Sequence, residues 1–540
     1  MVIFAGEEAM NSECKRLDKY LKFKSACRFM SKNEPSDIRI AKRTGAVYNV
    51  FMFKIIIVGL ILFFFIPKTA LGESPSVVAA DEVMAKIKLG LPAEYDNVII
   101  KGNLTSERLG LTAKQILRIP FEVKMPPDKL MLANSSIVIK NSIIDGCVDF
   151  NNTVFQKQVS FENTFFVENA SFRYSTFNGD ATFANSTFRK TGNFTRSRFN
   201  GKANFLHTYF NGPAFFIGTR FGGVADFCFT QFRSAVYLRG AQFKGHVGFI
   251  KTQFCDYVEF VSSQFAADAV FDETYFEGHT NFNGSLFSQV AKFNKTQFKN
   301  ETSYEGAHFA GSAQFSGSIF NDTIDFISAQ FDKDICFKQA QFMSPALFTN
   351  AKFNGLVEFI ECNFLAGAAF RQSDFRFDTT FSNTSFCGIA DFTASNFLGF
   401  ADFGGSQFAC DANFSNASFN GLADFSRSTF SEKVNLHETQ FKKNVYFESS
   451  KVNILNLTKT RYEWLFLHWD SINHLEFDDV AYQTLINNYK RLQWQKDSCA
   501  CSSAYLSVIQ ATPANNYSWI VNTMRLIVAR TNSNNFPGRI

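Results

Sequence analysis

The sequence predicts an all-β fold, a solenoid of very short parallel strands, and three observations carry that prediction. Phenylalanine supplies 69 of 540 residues while tryptophan supplies only 4, a bias that an ordinary mixed core does not require. The phenylalanines fall on two interleaved ladders, each with a period of eleven. The residue two places before each rung is restricted to small or β-branched types, and the residue between is free and usually polar. That in–out–in triplet is the period-two signature of extended chain.

One ladder runs Phe155, Phe166, Phe177, Phe188 and onward to Phe441 in 27 rungs, all of them Phe. The other runs Phe150, Phe161, Phe172, Phe183 and onward to Phe447 in 28 rungs, where only Leu238, Tyr304 and Leu436 depart from Phe. Together they hold 52 of the 69 phenylalanines, so the bias is explained by one repeated template. Before the all-Phe rungs stands Ser, Thr, Ala or Cys, as at Ser406, Ala417 and Cys362; before the others stands Ala, Val, Thr, Ile or Gly, as at Ala401, Ala412 and Val434.

In ADFGGSQFACDANFSNASF, residues 401–419, the rungs Phe403, Phe408, Phe414 and Phe419 are spaced five, six and five apart. Phe183, Phe188, Phe194 and Phe199 repeat the same set earlier in the chain. These eight are structural core residues, and a five plus a six, taken twice, predicts a coil of about 22 residues. Gly recurs two residues after the all-Phe rungs, at Gly179, Gly201, Gly212, Gly223, Gly245, Gly355, Gly388, Gly399 and Gly421. Glycine reaches positive φ at little steric cost, so a left-handed turn that widens one corner is expected there. A single coil cannot bury its own rungs, so stacking on the neighbours above and below has to supply the core.

The unit resembles the pentapeptide-repeat family: ADF recurs at 225–227, 390–392, 401–403 and 423–425, and ANF at 203–205 and 412–414. The resemblance covers roughly residues 137–457 and implies a right-handed quadrilateral parallel β-helix with small helical caps. The departure is the alternation of five and six, where the most regular members of the family keep five. Some fourteen coils at about 4.8 Å each would make a rod on the order of 65–70 Å long.

The ends read differently. Residues 73–136 form an N-terminal cap region, with a short helix in VVAADEVMAKIKLG that sets Val78, Val83 and Ile87 on its apolar side. Strands in YDNVIIKGNLTSERLGL then lead toward the ladder, which is entered through Ile139 and Ile144. Exported archaeal pentapeptide-repeat proteins look similar here. Beyond the ladder, 458–499 is a C-terminal helical cap in which DDVAYQTLINNYKRLQWQK starts on Asp478 or Asp479 and turns Ala481, Leu485, Tyr489 and Leu492 inward. A helix is the expected cover for the last coil's open edge. Residues 500–540 read as an irregular tail without a span of about 20 apolar residues. The transmembrane ion-channel domain that some relatives carry is not seen there.

Ahead of the cap, residues 55–66 read IIIVGLILFFFI between Lys54 and Pro67. The run is shorter than the ~20 residues that a spanning helix needs, and with the small residues of TALGES it matches a secretory signal. Cleavage is expected after Gly72, with translation starting at Met52 and 1–51 a mis-called extension. The alternative for 52–72 is an uncleaved signal-anchor, the protein then being held in the membrane by residues 53–67. Either reading predicts export to the cell envelope or the extracellular space. Fifteen Asn-x-Ser/Thr sequons, among them Asn103, Asn169, Asn185, Asn294, Asn321 and Asn416, are compatible with export, although the repeat itself inflates their number.

No nucleophile elbow, phosphate loop, zinc-protease or dinucleotide signature is present, so no catalytic residue, cofactor or metal is expected and the protein is predicted not to be an enzyme. Cys499 and Cys501 make a CxC, and LHWDSINH with Glu476 gathers His468, Asp470 and His474; incidental or disulfide pairing and ordinary capping contacts are the respective expectations. Outward Asp391, Asp402, Asn413 and Asp424 could stack into a cation-binding ladder, against which a solvated face is preferred.

Net charge is +5, too mild to demand a nucleic acid or an anionic membrane. Its distribution is uneven: residues 173–251 hold eleven Lys/Arg and two Asp/Glu, and residues 256–441 hold ten and twenty-two. The expected function is therefore a non-enzymatic, exported, rigid rod whose outward polar surface binds an unidentified protein or an envelope polymer, with salt-sensitive self-association a further expectation. Relatives suggest two alternatives, a channel-associated or ligand-sensing ectodomain and a DNA-mimicking protector of topoisomerases. The signal segment and the positive charge argue against the latter, and no nucleic-acid partner is expected.

Overall fold

The structure, a computed structural model, describes residues 74–109 and 130–511. The expectations about 1–72 and the far end of the tail lie outside the described residues. One coil can be followed through residues 401–419: Ala401–Asp402 lies on face one, Gln407–Phe408 on face two, Ala412–Asn413 on face three and Ser418–Phe419 on face four. Each strand pairs in parallel with its counterpart one coil away, as in Ala401↔Ala423 and Phe386↔Phe408. The offset is 22 residues, as the spacing of the rungs predicts, and it also separates the hydrogen-bonded side chains of Asn141 and Asn163. Face one is a 17-stranded sheet and face four a 15-stranded sheet. Faces two and three join in a 32-stranded sheet because Thr429–Asn435 and Lys451–Asn456 run straight through the corner between them.

The solenoid makes about 17 turns, more than the Phe repeat alone implies. Parallel pairing already begins at Ser76–Ala79, which matches Val98–Lys101, and it ends where Val452 and Leu455 pair with Ile472 and Leu475. At about 4.8 Å per turn the rod is on the order of 80 Å long. The chain segments before Ile137 and after Asn456 thus contribute strands to the same columns, built on aliphatic instead of aromatic rungs.

Both ladders are buried throughout, Phe403, Phe408, Phe414 and Phe419 at 0–1% exposure like Phe183, Phe188, Phe194 and Phe199. Their rings pack in two ways. Rungs one coil apart stack along the axis, as in Phe381–Phe403 with centroids 4.9 Å apart and planes 4° from parallel. Rungs of the second ladder half a coil apart face each other across the core and meet edge to face, as in Phe392–Phe403 at 5.4 Å and 86°. Both are favourable quadrupole arrangements that add to an area term of about 1.5–3 kcal/mol per buried Phe.

Helix α1, Ala80–Lys88, takes the place of faces three and four in the first coil and buries Val83, Met84 and Ile87. Val78, which sequence placed on that helix, lies instead in the strand before it. At the other end α2, Asp479–Arg491, starts on Asp478, whose carboxylate accepts from Ala481 N, and buries Ala481, Leu485 and Tyr489. Leu492 is the residue after it and is only half-buried. The expectation of an irregular tail from residue 500 is corrected over its first residues, since α3, Gln495–Ala511, continues to Ala511. Cys501, Tyr505 and Ile509 recur every four residues there and form one buried stripe, a helical period that the polar composition hides.

Candidate interaction surface

The inward positions are occupied by packing and hydrogen bonding. Most of the Ser/Thr before all-Phe rungs donate their hydroxyl to the carbonyl of a second-ladder rung in the coil before: Ser406 to Phe381 at 2.6 Å, Ser428 to Phe403 at 2.7 Å and Thr439 to Phe414 at 2.8 Å. Cys362 substitutes its thiol, with Sγ 2.9 Å from Phe337 O, and burial pushes that thiol up to about 12. A buried hydroxyl needs a partner, and this carbonyl lies within reach. Small size was legible in the sequence; the hydrogen bond was not.

The outward Asp/Asn slot also has a structural task. Asp402 Oδ1 accepts from Gly404 N at 2.8 Å, Asp424 Oδ1 from Ser426 N at 2.8 Å and Asn413 Oδ1 from Ser415 N at 3.1 Å. Each side chain thus fixes the turn that follows its rung, an Asx turn closed by bonds such as Ser406 N to Phe403 O at 3.1 Å. Neither a solvated face nor a cation ladder describes the slot fully. Asn413, Asn435 and Asn456 do stack, but through amide-to-carbonyl bonds of 3.1 Å between successive side chains.

The left-handed residue of that turn is not where the glycines predict it. Positive φ recurs every eleven residues two places after the second ladder, at Gly405, Asn416, Arg427 and Glu438, and is mostly carried by residues other than Gly. None of those nine glycines has positive φ, nor have Gly278 and Gly311, which also stand two places after all-Phe rungs. They are constrained by the coil before: a Cβ on Gly388 would lie 1.7 Å from Ala366 O, and one on Gly421 2.1 Å from Gly399 O. Close approach of backbones, not turn handedness, selects Gly at these corners.

The sequence-level metal and redox candidates separate. His468 stacks on Trp494 at 4.1 Å and approaches Asp497, while Glu476 pairs with Lys433 at 2.7 Å. Cys501 is buried and its thiol pushed up to about 12 by burial, whereas Cys499 is exposed on the other side of α3. Among the described residues no group of three metal-ligating side chains converges.

What distinguishes one outer region from another is charge and exposed apolar surface. Several charges are matched between neighbouring coils, such as Lys190–Glu168 at 2.5 Å and Lys140–Glu162 at 3.1 Å. Arg198 and Arg220 sit side by side on face four in adjacent coils and make no ion pair among the described residues. The edge between faces four and one exposes Leu356, Phe377, Leu398, Phe400 and Leu422 at 38–55%. Sequence reasoning found the uneven charge but missed this apolar edge, whose members come from four successive coils and meet only once the chain is wound.

Four short strands per coil, one packed core and backbone ladders on every side define a four-sided parallel β-solenoid, a scaffold class that works through its outer surface. A family model of pentapeptide repeats matches in nine copies, over 139–187, 271–319, 337–385 and 411–451. The matched segments are similar to pentapeptide repeats, whose right-handed quadrilateral β-helix is the architecture of this solenoid. No significant match is found among curated proteins or among solved structures. No described helix is long and apolar enough to cross a membrane.

Proposed function

We propose that this protein is a non-enzymatic structural or interaction protein, exported and working at the cell envelope as a rigid rod that displays binding groups at fixed spacing. The observation that carries the reading is the division of labour within the repeat. Inward Phe and Ser/Thr are committed to packing and hydrogen bonds, the Asp/Asn slot to the turns, and only corner and mid-strand residues remain variable. The apolar run 55–66 with its basic flank supports export. Fractionation of the native host with N-terminal sequencing of the product tests it. Recovery in the envelope or medium, beginning near residue 73 or retaining 53–67, is expected, and recovery in the cytoplasm with Met1 intact would overturn it.

A further inference from the structure

We propose that two copies of the chain dock side by side and antiparallel along the edge between faces four and one. The basic coils of each copy would then lie against the apolar, acidic coils of the other. This goes beyond the reading above and does not depend on where the protein resides.

The edge carries two chemistries at two heights. Between residues 354 and 424 it exposes Leu356, Phe377, Leu398, Phe400 and Leu422 in consecutive coils. Contiguous apolar surface of this kind on an otherwise polar protein marks an interface. Acidic groups flank it: Asp334, Glu358, Asp378, Asp402 and Asp424. Of the nearby cations, Arg376 is engaged by Asp374 at 3.0 Å, Lys352 lies on face four one coil from Asp374, and Lys333 stands at the far end. About eight coils earlier the same edge carries Arg198, Lys202, Arg220 and Lys244, none of them in an ion pair among the described residues. Between these cations lie Gly201, Gly223 and Gly245, a floor without side chains, and exposed Val224.

The occupant follows from complementarity and pitch. Aromatic and leucyl knobs need a flat, partly apolar counterface, and glycines lined by long Lys/Arg stems provide one. Carboxylates beside the knobs need cations at the same axial spacing. Only another parallel solenoid repeats charge at one residue per coil rise of about 4.8 Å, so rows on the two copies stay in register over several coils. Antiparallel packing about a two-fold axis midway along the edge satisfies both contacts at once and closes on itself. Parallel packing would set acid against acid.

Sedimentation velocity of the full-length chain at about 50 mM and about 500 mM salt tests the proposal, Debye lengths being about 14 and about 4 Å. A dimer at low salt that dissociates at high salt is expected. Arg198→Glu with Arg220→Glu, and separately Phe377→Ser with Phe400→Ser, should each weaken the dimer at least tenfold while leaving the melting temperature unchanged. Adding Glu358→Arg and Asp378→Arg to the first pair should restore it. Arg233→Glu with Leu365→Ser, near the opposite corner, should leave association as it was. Zero-length carbodiimide cross-linking should join Lys202 or Lys244 to Glu358 or Asp378. Within one rod these are separated by about five to eight coils, at least ~25 Å, so such a link has to join two copies. A chain monomeric at low salt, cross-links between like coils, or equal loss of association in the opposite-corner variant would each overturn it. So would a chain that stays monomeric and instead binds an anionic polymer.

Discussion

The coils between Phe150 and Phe447 and those at the two ends share one backbone but not one core. In the middle, each coil carries four large rungs, nearly all Phe, on strands mostly two residues long. At the start the same columns are filled by Ile100, Ile139 and Ile144 and at the finish by Val452 and Ile472, while Leu104, Ile137, Leu455, Leu465 and Leu475 stand in the columns that hold small residues in the middle. Pairing runs through both junctions, Ile144 against Phe166 and Phe430 against Val452. Phenylalanine is therefore not what bends the chain into a coil. It lets identical rings stack at about the coil rise, so one sequence template can be repeated without limit. Where the stack stops, strands lengthen to six or seven residues and helices cover the end. The coil itself shortens there to 20 residues, the separation of the hydrogen-bonded side chains of Asn453 and Asn473. Asn488 accepts from Leu465 N at 3.2 Å and donates to Leu465 O at 2.8 Å, satisfying the backbone of the last face-one strand.

The comparison can be broken most severely by placing the same charge in each region. Phe309→Asp, in the stacked middle, should cost more than about 4 kcal/mol and destroy cooperative unfolding in denaturant, because an unpaired buried carboxylate interrupts two stacks. Leu455→Asp at the finish should release only the last coils, seen as hydrogen exchange confined to residues beyond about 430. Equal exchange along the whole rod in both variants would erase the distinction. Gly388→Ala should cost about 2–4 kcal/mol by chemical denaturation, since the added Cβ meets backbone. Gly146→Ala near the start should behave alike, its Cβ lying 2.1 Å from Gly102 O, because this corner constraint belongs to the coil and not to the Phe stack.

Smaller effects sharpen the picture of the middle. Tyr304 is a buried rung whose hydroxyl has no hydrogen-bond partner, and burial raises its pKa well above the usual tyrosine value. Tyr304→Phe should thus stabilise by about 1–2 kcal/mol, read as a higher denaturation midpoint. Ser406→Ala should cost about 1 kcal/mol for the lost bond to Phe381 O. The least effect is expected on the surface. Burial of Asp332 would raise its pKa, but hydrogen bonds from Gln330, His308 and Asn354 outweigh that and hold it at about 2. A depressed carboxylate contributes stability above the ordinary value near 4 and loses it as pH falls toward 2. Acid titration of Asp332→Asn should lack that component between about pH 4 and 2.

Much of this was legible before any coordinates. The rung spacing specified inward residues, coil size and parallel stacking, because burial and strand alternation act on each residue locally. The glycines after the all-Phe rungs misled, since a sequence shows which residue is small but not what approaches it. Asp402 and its equivalents misled for a similar reason, a turn bond and a solvated side chain having the same composition. Residues 500–511 hid a helix because Cys501, Tyr505 and Ile509 are an apolar stripe only against a partner surface.

Taken alone, then, the sequence determined the repeat, the core and the scaffold class, all of which follow from periodicity along one chain. The tertiary structure decided which residues become neighbours at a distance of one or more coils. It alone set Ser406 beneath Phe381 O, Gly388 against Ala366, and Leu356, Phe377, Leu398, Phe400 and Leu422 on one edge. Contacts across coils depend on the pitch and corners of the winding, and no residue carries those by itself.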